Sequence, residues 1–168
     1  WALAQSGQSA AAVKSFNELI KSSPNLRQAF KAKMWLADRA YNSRTNQLTA
    51  EKWYKEIRGA TNCPPSLRYR AGMMAGRAAM ERQGFDDARS AFTTLIDDDQ
   101  VRKVSPRVHV EASFALGDLT MMELGGAAQN QIEKLTQSTN AFYSIIQESP
   151  TSAVAARAWG RIGDCCLR

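Results

Sequence analysis

Apolar and small residues recur along this chain at spacings of three and four. In its last stretch, AVAARAWGRIGDCCLR, the residues Ala158, Trp159, Ile162, Gly163 and Cys166 fall on one helical face. A glycine inside a helix costs about 1 kcal/mol against alanine, so Gly163 predicts a neighbouring helix too close for a side chain. The same face recurs upstream. Gly163 aligns with Gly117, Gly76 and Ala37, all small. One residue earlier stand Ile162, Leu116, Ala75 and Leu36; five residues earlier, Ala158, Ala112, Ala71 and Ala32; three residues later, Cys166, Thr120, Ala79 and Ala40. One helix type is used four times at intervals of about 40 residues, the mark of a stacked repeat array.

A second helix type alternates with the first. Ala12, Phe16 and Leu19 are echoed by Ala50, Tyr54 and Ile57, by Ala88, Phe92 and Leu95, and by Ser138, Phe142 and Ile145. The pattern predicts helices over 9–22, 25–43, 67–83 and 129–148. Another runs from the Ser105-Pro106 start to about Leu124, and shorter ones surround Tyr54 and Phe92. Trp1 to Ser6 reads as the tail of a further helix broken by Gly7, and Gly125-Gly126 as a stop. All five prolines share one phase, between the second helix of one pair and the first of the next; proline suits a first helical turn. Asp97-Asp98-Asp99 reads as a solvated helix end or loop, because the further oxygen ligands and glycine of a calcium loop are missing. The expected fold is all-α: about nine helices, a right-handed superhelical array of antiparallel pairs. It fills residues 1–168 as a single array, read as part of a longer protein with partial repeats at both ends.

Composition changes this picture little. The chain of 168 residues is 44% hydrophobic, ordinary for a globular protein, and no apolar run reaches the ~18 residues of a membrane span. A net charge of +6 and a pI near 9.5 come from scattered basic residues, which favour solubility over a dedicated nucleic-acid surface. Three cysteines are too few for a disulfide framework. Cys165 and Cys166 point about 100° apart on a helix, which leaves Cys63 and His109 too little to close a zinc site; buried cysteines and no metal are expected. His109 is the single histidine, so every triad would have to converge on it; a capping or surface role is expected. No glycine-rich phosphate loop is present. The chain is therefore read as a non-enzyme with no cofactor.

Trp159-x2-Ile162-Gly163-x2-Cys166, the Gly84-Phe85-x2-Ala88-x3-Phe92 run, the second-helix aromatics Phe16, Tyr54, Phe92 and Phe142, and the closing Pro24 and Pro150 resemble the tetratricopeptide repeat. The phrase from Ser149 to Cys165 is similar to the variant in bacterial envelope proteins, including outer-membrane assembly lipoproteins and the periplasmic coordinator of the Tol–Pal system. That resemblance implies a periplasmic or envelope-associated setting, with a cytoplasmic one as the alternative. The fourth residue of the signature departs from a large apolar group in Lys33, Gly72 and Ser113, so other positions carry much of the packing between units.

In such arrays the first helices line a concave binding surface. The resemblance places its inward positions at Lys31, Met34, Asp38 and Tyr41; at Arg70, Met73, Arg77 and Met80; and at Glu111, Phe114, Asp118 and Met121. Each row alternates charge with an apolar group, and Arg77 is expected to sit between Asp38 and Asp118. All six methionines lie in first helices, and methionine suits adaptable binding surfaces as well as cores. Asp38, Arg77, Asp118 and Asp164 stand where chaperone-binding members carry asparagine, so the resemblance does not extend to a clamp for C-terminal carboxylates. The implied function is a scaffold that binds a protein or peptide partner in the groove. A nucleic-acid-binding repeat and a structural spacer within a larger protein are the alternatives; Asp38, Glu111 and Asp118 interrupt the surface and argue against nucleic acid.

Overall fold

The computed structural model describes residues 9–124 and 128–168, which form nine helices. The expected helix tail at Trp1–Ser6, its break at Gly7 and the Gly125-Gly126 stop lie outside the described residues. The helices are α1 (Ser9–Ser22), α2 (Arg27–Asn42), α3 (Gln47–Gly59), α4 (Pro65–Glu81), α5 (Phe85–Ile96), α6 (Asp99–Val104), α7 (Pro106–Met122), α8 (Ala128–Glu148) and α9 (Ala153–Cys166). No strand occurs among the described residues. Pro65 and Pro106 open α4 and α7 from the first turn, where their missing N–H has no intrahelical partner to lose. Ser152 caps α9, its hydroxyl accepting from the Ala155 N–H at 3.1 Å. Pro24 and Pro150 stand in the turns just ahead of their helices rather than in the first helical turn.

The acidic run is a solvated helix end at Asp97, which closes α5, but it is also a helix start. Asp98 starts a helix: its carboxylate accepts from the Gln100 N–H at 2.9 Å, and the short α6 follows. Val101, fully buried, holds it to the core. Gln83 closes α4 in the left-handed region, φ 62°. There the Gly84 N–H reaches the Ala79 carbonyl at 2.8 Å and the Gln83 N–H the Met80 carbonyl at 2.9 Å. These two bonds turn the chain into α5.

Every contact between described helices joins elements no more than three apart in chain order. The core is correspondingly divided. Phe30, Met34, Tyr54, Ile57 and Ala71 form one cluster under α2, α3 and α4. Tyr69, Met73, Phe92, Leu95 and Leu119 form the next under α4, α5 and α7. Phe114, Phe142, Ile145, Ala158 and Cys165 form a third under α7, α8 and α9. Each of these three clusters is two helices of one pair and the first helix of the next, as a nearest-neighbour array requires; a fourth, Ala12, Phe16 and Ala32, joins α1 to α2.

The small positions set the distance within each pair. A Cβ on Gly76 would stand 2.4 Å from the Phe92 ring, and one on Gly117 would stand 2.7 Å from the Phe142 ring. Ala37 and the buried Tyr54 belong to one core cluster. The bare Gly117 backbone is also reached by the Ser138 hydroxyl, which donates to its carbonyl at 3.2 Å. Gly163 is different. It is exposed, and no heavy atom lies within 4 Å of where its Cβ would stand. The expected close helix contact at Gly163 is therefore absent, because no second helix lies on that face of α9 among the described residues.

The two glycines should respond with opposite signs. Gly117→Leu drives a side chain into the Phe142 ring and should destabilise by about 1–3 kcal/mol. Gly163→Ala gains helix propensity in open space and should stabilise by up to about 1 kcal/mol. Urea unfolding followed by circular dichroism reads both, and a stabilising Gly117→Leu would refute the ring-on-glycine packing.

Candidate functional site: the hollow lined by the first helices

Because Phe92 and Phe142 sit on the first helices of their own pairs, the first helices α2, α4, α7 and α9 stand side by side. Their free faces enclose a hollow of about 310 Å³ lined by Tyr41, Arg77, Met80, Glu81, Glu111, Phe114, Asp118 and Arg157. Two further hollows share its walls. One, of about 340 Å³, runs from Phe114 and Arg157 to Gly160 and Asp164. The other, of about 290 Å³, runs from Met80 and Asp118 to Met121, Arg161 and Arg168. The shared residues make one continuous groove. Of the expected inward positions, Tyr41, Arg77, Met80, Glu111, Phe114 and Asp118 come together in the central hollow, and Met121 borders the third.

The charges of the groove are answered between neighbouring helices. Arg70 of α4 donates to Asp38 of α2 at 3.0 Å, and Arg77 of α4 to Glu111 of α7 at 3.0 Å. Arg161 of α9 lies 2.8 Å from Asp118 of α7. One ion pair thus ties each adjacent pair of first helices. The expected place of Arg77 between Asp38 and Asp118 is corrected: its partner is Glu111, because Arg70 and Arg161 hold the two aspartates. Asp38 also accepts from the buried Tyr54 hydroxyl at 2.6 Å. Burial first, then that bond to a carboxylate, pushes the Tyr54 phenol far above its ordinary value. Burial also raises the Tyr41 phenol, with the charge of Glu81 beside it adding to the effect.

Asp118 is the least comfortable member. Its Oδ1 is buried and receives no well-directed hydrogen bond, although the Arg161 Nε is close enough for an ion pair. Burial pushes its carboxyl above the ordinary value, and the charge of Arg161 offsets this only in part.

Four expected inward residues are turned into the core. Met34 and Met73 are buried in separate clusters, Met121 packs against the Cys165 sulfur at 3.7 Å, and Phe114 is 4% exposed. The Phe114 ring lies 5.2 Å from that of Phe142, and the Arg157 guanidinium covers its outer face at 4.2 Å. The reason is geometric. A helix held this close to two neighbours has only a narrow free face, and the first apolar member of each row, with Met121 of the third, points toward the seam, while Tyr41 and Met80 keep to the hollow. Lys31 and Arg70 are exposed, and Met80 is half-buried. His109 is likewise buried rather than at the surface, with Arg102 Nη2 3.3 Å from its Nε2.

Arg157, Gly160 and Asp164 of α9 were not among the expected residues. The same offsets from Gly163 that place Lys31, Met34 and Asp38 relative to Ala37 would have found them. A second network was invisible to the repeat pattern. Buried Glu51 of α3 takes two hydrogen bonds from Arg82 at the end of α4, and Arg82 also bonds Asp87 of α5. Lys55 bridges Glu51 at 2.6 Å and Asp87 at 3.2 Å. Burial pushes the Glu51 carboxyl up; the bonds from Arg82 and Lys55 outweigh it and hold the group below its ordinary value of 4.5.

The two carboxylates give opposite pH signatures. A lowered carboxyl stabilises above its ordinary range and loses that contribution as the pH falls, whereas a raised one favours the folded state increasingly as the pH falls. Arg82→Met should cost about 1–3 kcal/mol at pH 7, between the surface and buried limits for an ion pair. It should also flatten the loss of stability below pH 4.5 that Glu51 causes. Asp118→Asn removes a charge that burial disfavours, while Arg161 remains half-exposed and solvated. Its melting temperature at pH 7 should equal or exceed that of the wild type. A marked drop would mean that the Asp118–Arg161 attraction outweighs the burial cost.

Comparison with known proteins follows this geometry. No curated protein and no solved structure matches the chain. The tetratricopeptide repeat family model matches residues 73–125, from within α4 through α5 and α6 past the end of α7. That stretch contains both members of the Gly76–Phe92 contact and the whole Arg77–Glu111 bridge between first helices. That stretch is therefore similar to a tetratricopeptide repeat, a unit that generally mediates protein–protein interaction.

Proposed function

We propose that this chain is a non-catalytic scaffold that holds an extended peptide or a partner helix in the groove of α2, α4, α7 and α9. The observation that carries this reading is the continuous hollow whose floor is the Phe114 ring under Arg157, with Met80 and Tyr41 on the walls. A partner's apolar side chain has a place over Phe114 once the Arg157 side chain swings out, an easy motion for an exposed arginine. The ion pairs on either side supply register: a partner's charged group exchanges with one member of Arg77–Glu111 or Arg161–Asp118. Such groups set specificity and association rate more than affinity. A role in bacterial envelope assembly rests on the likeness of Ser149–Cys165 to the envelope repeats. Nucleic-acid binding is the weaker reading, since Arg77 and Arg161 already face carboxylates.

The test is selection of peptides from a random library on the immobilised chain. Binding of the selected peptides should fall by at least tenfold with Met80→Glu, on the wall of the hollow, and with Arg77→Glu, a loss of the size expected of an interface hot spot. It should be unchanged by Lys52→Glu on α3. Peptides that still bind both groove variants would move the site elsewhere. Phe114→Ala is unsuitable, because deleting a buried ring costs about 3–5 kcal/mol of stability. A steep fall of binding with added salt would favour phosphate recognition instead.

A further inference from the structure

The ion pairs that cross between first helices follow one rule at two seams and break it at the third. Arg70, six residues before Gly76, donates to Asp38, one residue after Ala37. Glu111, six residues before Gly117, accepts from Arg77, one residue after Gly76. The same offsets would join Arg157, six residues before Gly163, to Asp118, one residue after Gly117. That bridge is not made. Asp118 lies 2.8 Å from the Arg161 Nε, one turn farther along α9. The Arg157 guanidinium covers the Phe114 ring at 4.2 Å instead, and it has no ion pair among the described residues.

The regular bridge is nevertheless within reach. Phe114 and Asp118 are one turn apart on α7, so the place Arg157 occupies and the place the rule assigns it are neighbours. The charge of Arg157 already acts on the Asp118 carboxyl. The buried Asp118 Oδ1 receives no well-directed hydrogen bond and can accept one. Arg161 has a second carboxylate, Asp164 at 3.1 Å on its own helix, and stays answered when Asp118 is taken from it. Glu111 is no rival destination, because Arg77 and Arg107 already bond it. A cation–π contact of an exposed arginine and a half-exposed ion pair are of similar, modest strength, so neither position of Arg157 lies far below the other.

We propose that Arg157 is a two-position latch on the groove. Resting on Phe114, it fills the apolar floor. Swung to Asp118, it restores the regular bridge and clears the floor for an apolar side chain of the bound partner. This gate rests on the groove being the partner's seat, as proposed above. It makes Arg157 an internal competitor of the partner, and Asp118 the residue that sets how strongly it competes.

NMR of the free chain reads the latch without any partner. The Phe114 ring current moves the Arg157 Hδ and Nε–H resonances upfield while the guanidinium lies on it. Asp118→Asn removes the destination and should increase that shift; Arg161→Met frees Asp118 and should reduce it. Circular dichroism verifies that both variants keep their fold. Binding of a library-selected peptide that Met80→Glu weakens then reads the gate. Asp118→Asn should weaken that binding by about tenfold, as when the open population falls by about that factor, and Arg161→Met should strengthen it. In an Arg157→Ala background neither substitution should change the affinity, since no latch remains. Equal Arg157 shifts in the three proteins, or an Asp118→Asn effect that persists without Arg157, overturns the latch and leaves the groove reading standing. Selected peptides that ignore both Met80→Glu and Arg77→Glu overturn the groove reading and the gate with it, whatever the Arg157 resonances do.

Discussion

An aromatic ring resting on a residue with no side chain sets the spacing of the pairs that make this molecule. Phe92 on Gly76 and Phe142 on Gly117 leave no room for a methyl group, so the two helices lie closer than side-chain packing on both sides would allow. The glycine lowers helix propensity, and the buried ring more than compensates through apolar area removed from water. With the pair distance fixed, the next first helix has one place to go, against both members. The division of the core into successive clusters follows from that single contact repeated.

The groove is a by-product of the same constraint. First helices brought side by side place Asp38 near Arg70, Arg77 near Glu111 and Asp118 near Arg161. Each pair crosses from one helix to the next, so the charges stitch the concave side while the rings stitch the inside. These pairs are partly exposed and individually worth little to stability. Their effect on recognition is larger: a partner meets a surface already balanced in charge and must exchange one partner for another rather than fill a vacancy.

The repeat was legible because it rests on two short signals, a small residue in one helix and an aromatic in the other, and both survive as letters at fixed spacing. The rows of inward positions were legible only as backbone directions. Whether Phe114 looked outward or into the seam depended on how close α8 stood, and that is set by Gly117 and Phe142 together. Partners of charged residues were illegible for the same reason. Arg82 and Glu51 are 31 positions apart, and no spacing rule joins the end of one helix to the middle of another. The α6 helix was missed because its acidic start reads equally as solvent-facing loop, and only the burial of Val101 decides between them.

The divided core has a mechanical consequence. Contacts reach no farther than three elements along the chain, so few loops must close before native packing begins, a condition that favours rapid folding. It also means that none of the described elements spans the whole length to brace it. A pull on the two ends is borne by the pair-to-pair seams in series, each yielding a little, so the array lengthens and recoils as a coil does. Unfolding under load should proceed from one end, one pair at a time, with the intact pairs keeping their shape.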